Sequence, residues 1–541
     1  MPKDGAARKF QHPQSYEPKN HLRFITAASL FDGHDASINI MRRILQGAGT
    51  EVIHLGHNRA VDEVVTAAIA EDAHAIAVSS YQGGHVEYFK YMIDLLRERG
   101  RPEILVFGGG GGVIVASEIQ ELHDYGVTRI YSPNDGYEMG LPGMIADMMR
   151  LADRDLGEAL PSEISSLQSG EPAVLARIIT GMELNSIDRK MLESIRVVAD
   201  NHADVPVLGI TGTGGAGKSS LTDELIRRFR LYSGEPKIAI IAIDPTRRRT
   251  NGALLGDRIR MNAIDSPNIY MRSLATRGAG SEVVEATSDI IAACKVAGYE
   301  LVIIETPGIG QGDGAVVELV DVSLYVMTPE YGAQSQLEKI DMLDFADAVA
   351  INKFDRKGAL DALRDVRKQV QRNREAFGQS LDTMPVFGCM AAKFADIGVS
   401  ALYQELLSQF ETLGLNGFPC KLLPVEVRQS ELGQAIVPPE RARYLAEIAE
   451  TVRDYHYFIS EQTQTARESQ QLKAAKQMLL DAKQGEVGTD LNSLIADRDA
   501  RLAPRVVDLL ESWPSVVDNY SGDRGMIKIR DKEVSTTLKR E

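Results

Sequence analysis

Residues 212–219 read GTGGAGKS. The run before them, VPVLGIT (205–211), is apolar and strand-like, and the run after them, SLTDELIRRFR (220–230), has helical periodicity. Strand, glycine-rich loop and helix in that order give the pattern GxxxxGK(S/T) its physical meaning. Gly212, Gly214, Gly215 and Gly217, with Ala216 between them, let the backbone turn its N–H groups onto phosphate oxygens at a helix N-terminus. Lys218 neutralises the β- and γ-phosphates, Ser219 offers its hydroxyl to Mg²⁺, and Ser220 belongs to the same loop–helix junction. The competing reading, a glycine-rich turn without a ligand, does not account for these flanks. A P-loop belongs to a parallel α/β sheet that binds ligands at the carboxyl ends of its strands.

The base is chosen further along, in INKFD (351–355), at the end of the apolar run AVAIN. The carboxylate of Asp355 accepts two hydrogen bonds from guanine N1–H and the 2-amino group. Adenine offers no such donor pair, and leaving a polar group unpaired is how a site rejects a ligand. Asn352 and Lys353 brace the loop and cover the base. Guanine nucleotide is the expectation. Between the two motifs lies LVIIETPGIGQGD (301–313), where Glu305 stands in place of the aspartate of a DxxG switch. IAIDPTRRR with Asp244, and LLGDRIRM with Asp257, precede it. Gln311 lies three residues past Gly308 rather than directly after it, and Arg247 to Arg249 fall in a plausible switch without an identifiable arginine finger.

This arrangement resembles the metallochaperone branch of P-loop GTPases, and within it the G-protein chaperones of cobalamin-dependent mutases. The resemblance implies that Asp244, Asp257 and Glu305 surround Mg²⁺ with Ser219, directly or through water. For each acid singly, a solvated loop carboxylate is the competing reading. Lys218, Glu305 and Gln311 are the catalytic candidates, in a GTPase that is slow alone and relies on partner contacts. TPEYGAQSQLEKI (328–340) matches the extra switch of such chaperones, or is an ordinary loop and helix.

The first 150 residues form a second alternating set. RFITAASL, EVIHLG, AIAVSS, EILVFGG and RIYSP are candidate strands, separated by helix-like stretches, which predicts a parallel doubly wound sheet. After the first strand comes FDGHDAS, with His34 between Asp32 and Asp35. A carboxylate beside a histidine fixes one ring nitrogen and aims the other, as metal sites require. Cobalamin-binding domains of mutases carry DxHxxG in this loop; Asp32 and His34 match, whereas Ser37 replaces the glycine. Their SxL after the third strand is Ser79-Ser80-Tyr81 here, and their paired glycines after the fourth strand fall in GGGGG, 108–112.

By that resemblance His34 replaces dimethylbenzimidazole on cobalt and Asp32 holds its far nitrogen. Ser79, Tyr81, Gly108, Gly109 and Gly110 border a channel for the displaced nucleotide tail. His85 either lies near the corrin or caps a helix. A response regulator needs an acid where Ser79 stands, and a flavodoxin needs a hydroxyl-rich phosphate loop after the first strand.

The order of modules resembles the N-terminal half of fused isobutyryl-CoA mutases, from about His21 to Lys532. It implies two doubly wound parallel-sheet α/β domains with helical connectors: a flavodoxin-like cobalamin-binding domain and a P-loop GTPase. The expected boundaries are a disordered leader over 1–21, the cobalamin-binding domain over 22–150, a helical connector over 151–204, the GTPase over 205–415 and a helical linker over 416–541. The 128 residues after Leu413 are too few for the (β/α)₈ substrate barrel of those mutases, which needs about 250. The expectation is a fragment or split subunit that works with an acyl-CoA mutase barrel in a longer chain or a separate subunit, as a homodimer.

Adenosylcobalamin, GTP and Mg²⁺ are the implied ligands. The implied function is a GTP-hydrolysing, cobalamin-carrying chaperone portion of the mutase; a non-catalytic, nucleotide-gated corrinoid module acting on a separate partner is the alternative. The bulk composition is compatible with both. A net charge of −16 argues against a general nucleic-acid binder. Apolar runs are strand-sized, so no membrane span is expected. Three scattered cysteines (Cys294, Cys389, Cys420) fit a reducing cytoplasm.

Overall fold

The computed structural model describes residues 16–430, apart from 159, 248, 257, 278–282, 309–313, 333–336 and 338–339, together with 444–482, 489–521, 524–529 and 532–537. Asp257, Gln311, Arg248 and residues 333–336 and 338–339 of the extra-switch candidate lie outside the described residues. The chain divides into two compact units, 1–432 and 433–541.

The first sheet is built from β1 (Arg23–Ser29), β2 (Glu51–Arg59), β3 (Ala75–Ser79), β4 (Leu105–Gly109) and β5 (Arg129–Tyr131) in the spatial order β5-β4-β3-β1-β2. All pairs are parallel. This is the flavodoxin-like order, whose switch point lies between β1 and β3. Every residue of β1 and β3 is buried, because helices cover both faces of a parallel sheet. Helix α1 (Asp35–Gly47) buries Ile38 and Leu45 on the sheet and turns Arg43 outward. Asp35 opens it, where the helix dipole favours an anion.

Four more helices complete this half: α2 (Val61–Ala70), α3 (His85–Glu98), α4 (Ala116–Tyr125) and α5 (Pro133–Ala152). The connector follows as α6 (Ile164–Gln168), α7 (Pro172–Glu183) and α8 (Arg189–Asp200). Residues 16–20, expected to belong to a disordered leader, are tied down instead. Tyr16 Oη and the Lys19 and Asn20 backbone N–H groups all donate to the Asp153 carboxylate at the end of α5.

The second sheet contains β6 (Val207–Gly212), β7 (Ile238–Asp244), β9 (Ile269–Ala275), β10 (Leu301–Glu305), β11 (Val322–Met327), β12 (Ala348–Ile351) and β13 (Val386–Gly388). Their order is β13-β12-β11-β6-β10-β7-β9, and the ladders are parallel. The intervening β8 (Ala253–Leu255) departs from the expected boundary at 205. It leaves the GTPase sheet and pairs in parallel with β2 as the sixth strand of the first sheet, Glu51 opposite Ala253 and Ile53 opposite Leu255. Gly252 permits this: a Cβ there would lie 2.1 Å from Gln46 O at the end of α1.

The two sheets are also joined by buried charge. Arg23 of β1 meets Glu51 of β2 at 2.7 Å and Glu183 of α7 at 3.1 Å. Glu183 also takes Arg272 of β9, and Arg277 spans Glu51 and Glu183. Burial works to raise these carboxyls, but Arg23 and Arg277 overcome it and hold Glu51 and Glu183 below the usual carboxylate range.

In the second unit, a helix over Tyr444–Asp481 runs beside one over Thr489–Ala500, linked by Ser469–Asp499 and Arg498–Glu468 contacts. A helix over Pro504–Tyr520 precedes the antiparallel hairpin of β14 (Arg524–Ile529) and β15 (Lys532–Thr537). No helix among the described residues is long and apolar enough to cross a membrane.

Candidate functional site

The carboxyl ends of both sheets carry the candidate residues. In the second sheet β6 runs into the P-loop and α9 (Lys218–Tyr232) begins at its end, with Gly217 in the left-handed region at φ 87°. A Cβ on Gly217 would meet Asn352 Nδ2 at 2.6 Å, and one on Gly212 would meet Val326 O at 1.9 Å. Glycine is thus needed at 212 for close approach to backbone and at 217 for the left-handed turn. Lys218 Nζ donates to the Gly212 and Pro307 carbonyls at 3.1 and 3.4 Å, drawn over the loop that would surround a phosphate. Ser219 Oγ donates to Glu305 Oε1 at 2.7 Å, and Thr222 Oγ1 to Oε2 at 2.9 Å. Glu305, buried at the end of β10, therefore reaches the P-loop serine directly, as a carboxylate one methylene longer than aspartate can. Asp244 ends the adjacent strand, two residues beyond Ala242, which pairs with Glu305.

The base-recognition loop is assembled against the P-loop itself. Asn352 Nδ2 donates to Ala216 O at 2.9 Å, and Lys353 Nζ donates to Gly215 O at 2.7 Å. Asp355 is exposed beside them. Two contributors escape a reading of the sequence. Thr222 lies three residues after Ser219 on α9, a helical spacing that puts both hydroxyls on Glu305. The Ala391 N–H donates to Asn352 Oδ1 at 3.0 Å, bringing the loop after β13 to the base site.

In the first sheet Asp32 is fully buried just past β1. Its Oδ1 accepts from the His34 N–H at 2.8 Å and sits 2.9 Å from His34 Nδ1; its Oδ2 accepts from the Tyr81 N–H at 2.6 Å. Burial pushes the Asp32 carboxyl up, and these N–H groups with the His34 ring bring it below its ordinary value. A carboxylate there fixes Nδ1 as the protonated nitrogen, which leaves Nε2 with its lone pair on a side chain that is 67% exposed. Behind this loop a cavity of about 300 Å³ runs between α1 and the sheet, lined by Ile38, Met41, Ser79, Tyr81, Gly109 and Met148 among others. Its walls are mostly apolar, and Ser79 Oγ is buried there without a hydrogen-bond partner.

Residues 175–426 match the family model described as "Methylmalonyl Co-A mutase-associated GTPase MeaB", and residues 22–152 match "B12 binding domain". A Caulobacter vibrioides protein named "Putative GTPase" is 31% identical over 261 residues, 46% of this chain and 77% of that protein. The chain belongs to the MeaB GTPase family. Its MeaB region follows a B12-binding domain. "Fused isobutyryl-CoA mutase" of Cupriavidus metallidurans is 60% identical over 96% of the chain, and that of Nocardia farcinica 54% over 97%. Each is covered over 48% of its length, so the chain spans about half of these relatives.

With a B12-binding domain shown, the first-sheet site can be tested for fit. The exposed imidazole, the apolar channel and the orphaned Ser79 hydroxyl suit a corrinoid whose nucleotide tail is displaced into the protein. Gly109 borders this channel, and a Cβ placed there would make only an ordinary 3.5 Å contact, with Tyr131 O. Gly108 and Gly110 answer to other neighbours: a Cβ on Gly108 would strike the Phe89 ring at 2.5 Å, and one on Gly110 would strike Ser80 O at 2.1 Å. His85 is buried at the start of α3, between Gln82 O and Glu118 of α4, a position that ties two helix starts together.

Around Ser219, no group of three or more His, Cys, Asp or Glu side chains among the described residues forms a metal cage. The hard oxygens of Ser219 and Glu305 nevertheless suit Mg²⁺ beside a nucleotide, which takes few protein ligands and completes its shell with phosphate and water.

Proposed function

We propose that this chain is the cobalamin-carrying, GTP-hydrolysing portion of an acyl-CoA mutase of the isobutyryl-CoA mutase type, in which nucleotide state controls cofactor loading. The observation that carries the first half is the Asp32–His34 pair, with one imidazole nitrogen fixed and the other exposed, at the mouth of a channel holding an unpartnered Ser79. His34 would hold cobalt through Nε2, Asp32 would set its tautomer, and Ser79 would receive the cofactor's displaced base. Adenosylcobalamin, when bound, supplies the radical by homolysis of its cobalt–carbon bond. The chain's own residues orient the imidazole, keep water from the tail through the apolar channel wall, and keep the proton on His34 Nδ1, where it is donated to Asp32 Oδ1.

On the nucleotide side, Lys218 exchanges its carbonyl partners for the β- and γ-phosphates. Ser219 and Glu305, with Asp244 and Asp257, serve Mg²⁺, which neutralises charge on the phosphate oxygens. Asn352, Lys353 and Asp355 select guanine. A mutase substrate barrel belongs to this proposal, supported by the fused relatives of which the chain spans about half; the adenosyl form of the cofactor and a homodimeric assembly are proposed with it.

An electron paramagnetic resonance spectrum of cob(II)alamin on nitrogen-15-labelled protein tests the cofactor half. Doublet splitting from a nitrogen-15 axial ligand is expected; a triplet from the cofactor's own base refutes His34 ligation. Steady-state GTP hydrolysis that survives Lys218→Ala refutes the nucleotide half.

A further inference from the structure

Ser37 and Tyr81 are two positions at which the first domain departs from the loop patterns it otherwise follows: serine in place of glycine after the histidine, and tyrosine in place of leucine after β3. In the structure these two departures meet. Ser37 Oγ lies 2.7 Å from Tyr81 Oη, both residues half-buried. Tyr81 is also held through its backbone, because its N–H donates to Asp32 Oδ2 while Oδ1 of the same carboxylate faces His34 Nδ1. The result is a closed circuit from Asp32 to His34, through the first turn of α1 to Ser37, across to Tyr81, and back to Asp32. The Tyr81 ring stands 5.6 Å from the imidazole, centroid to centroid. On another side it occupies space that only glycine leaves free, since a Cβ on Gly111 (φ 55°) would lie 2.5 Å from it.

A glycine at 37 and a leucine at 81 make no such bond, and a glycine in the first helical turn leaves the unbound loop more conformations to lose. We propose that Ser37 and Tyr81 are positioning residues: their hydrogen bond clamps the first turn of α1 to the loop after β3, so that His34 is already poised for axial ligation before a corrinoid arrives. This rests on the reading of His34 as the axial ligand. Both residues form part of the wall of the channel, which stands open with the bond made, so the bond frames the channel and does not plug it. A preorganised loop pays less ordering entropy on binding, and the gain appears as affinity.

The test uses the full chain and cob(II)alamin. Tyr81→Phe and Ser37→Ala each delete one hydroxyl, the double variant deletes both, and Ser37→Thr keeps the donor. In cofactor-free protein, amide exchange across 34–40 is expected to quicken in both single variants while thermal unfolding stays put. Affinity for cob(II)alamin, read by absorbance titration, is expected to fall about fivefold in each single variant. The double variant should be no weaker than the weaker single variant, and Ser37→Thr should restore affinity and exchange. Independent, multiplying losses overturn the proposal, as does unchanged exchange in the cofactor-free variants. Tighter or faster binding by Tyr81→Phe identifies a plug and overturns it too. Failure of the underlying reading is separate: a triplet spectrum from unsubstituted nitrogen-15 protein removes His34 as ligand, whereas the proposal fails with the doublet still present.

Discussion

Gly252→Ala is the perturbation that best isolates contact between the two sheets. The added methyl would sit 2.1 Å from the Gln46 carbonyl oxygen and 3.0 Å from Thr50 O, both backbone atoms that cannot rotate away. Relief requires the segment 250–255 to move off α1 and β2. At risk are the Ala253 N–H to Thr50 O bond of 3.2 Å and the three-residue β2–β8 ladder. The Gln46 side chain, with its amide oxygen assigned toward them, also accepts from Arg247 Nε and the Leu254 N–H. Overpacking of this kind costs about 1–3 kcal/mol. Because β8 is a short edge strand, the cost falls on local opening rather than on either sheet.

Amide exchange across 250–256 should therefore accelerate roughly 5- to 150-fold, with the protection of β1 and β10 unchanged. The functional assay is reciprocity: a non-hydrolysable GTP analogue and cob(II)alamin must alter each other's affinity by the same factor in the parent. In Gly252→Ala that factor should shrink toward one while each separate affinity stays within about twofold. Full coupling alongside quickened exchange at β8 would refute the claim that this strand carries it.

Glu183→Gln removes the carboxylate that faces the buried Arg23 and Arg272 and the half-buried Arg277 and leaves the three guanidinium groups short of charge; unfolding stability should fall by about 3 kcal/mol, seen as a lower denaturant midpoint. Burial holds both His54 and His74 down to about 4, so each is neutral in the fold while an unfolded chain takes up its proton near 6.5. With folded values below unfolded ones, the stability they contribute is present above about pH 6.5 and is lost as pH falls toward 4, roughly 2 kcal/mol each by pH 5. Exchange protection in β1 and β3 that stays flat from pH 7 to pH 5 would contradict this. Asp355→Asn replaces an acceptor with a donor at the guanine 2-amino group, so GTP affinity should drop at least about a hundredfold while xanthosine triphosphate, with an oxygen at that position, gains. Competition binding against both nucleotides decides it.

What is legible in the sequence is what a short contiguous stretch performs with its own backbone. GTGGAGKS makes its phosphate cradle from its own N–H groups, and DGH places carboxylate and imidazole within two residues of each other. The alternation of strands and helices likewise carries its own period. Strand β8 has no such signature: Ala-Leu-Leu within a polar loop shows no alternation, and its place beside β2, some 200 residues earlier, is set by Gly252 and the end of α1. Ser37 and Tyr81 read singly as imperfections in two motifs, and only the turn that brings α1 back over β3 shows that they form one pair. The glycine run reads as room for a nucleotide tail; Gly109 suits that, whereas Gly108 and Gly110 are dictated by Phe89 and Ser80 across the fold.

The two links between the sheets differ in a way that assigns them different work. The GTPase segment that leaves the end of β7 at Asp244 is held first at Thr246, whose N–H donates to Thr276 Oγ1 and whose Oγ1 accepts from the Arg277 N–H. Arg277 then passes directly to Glu51 at the foot of β2 and to Glu183. Freeing that side uncovers buried, mutually compensating charges, which costs several kcal/mol, more than one nucleotide contact supplies. Further along the same segment, the β8 pairing comprises three residues and a glutamine side chain, small enough to break and reform within a binding cycle. If nucleotide state controls cofactor loading as proposed, the ion network is the expected fixed pivot and β8 the contact expected to respond. α1 is the element placed to carry that response, with Gln46 touching β8 at one end and His34 standing at the other. Substitutions in the network should therefore lower the unfolding midpoint and leave coupling intact in the surviving folded protein, whereas Gly252→Ala should do the reverse. A network variant that abolished coupling without lowering the unfolding midpoint would exchange the two assignments.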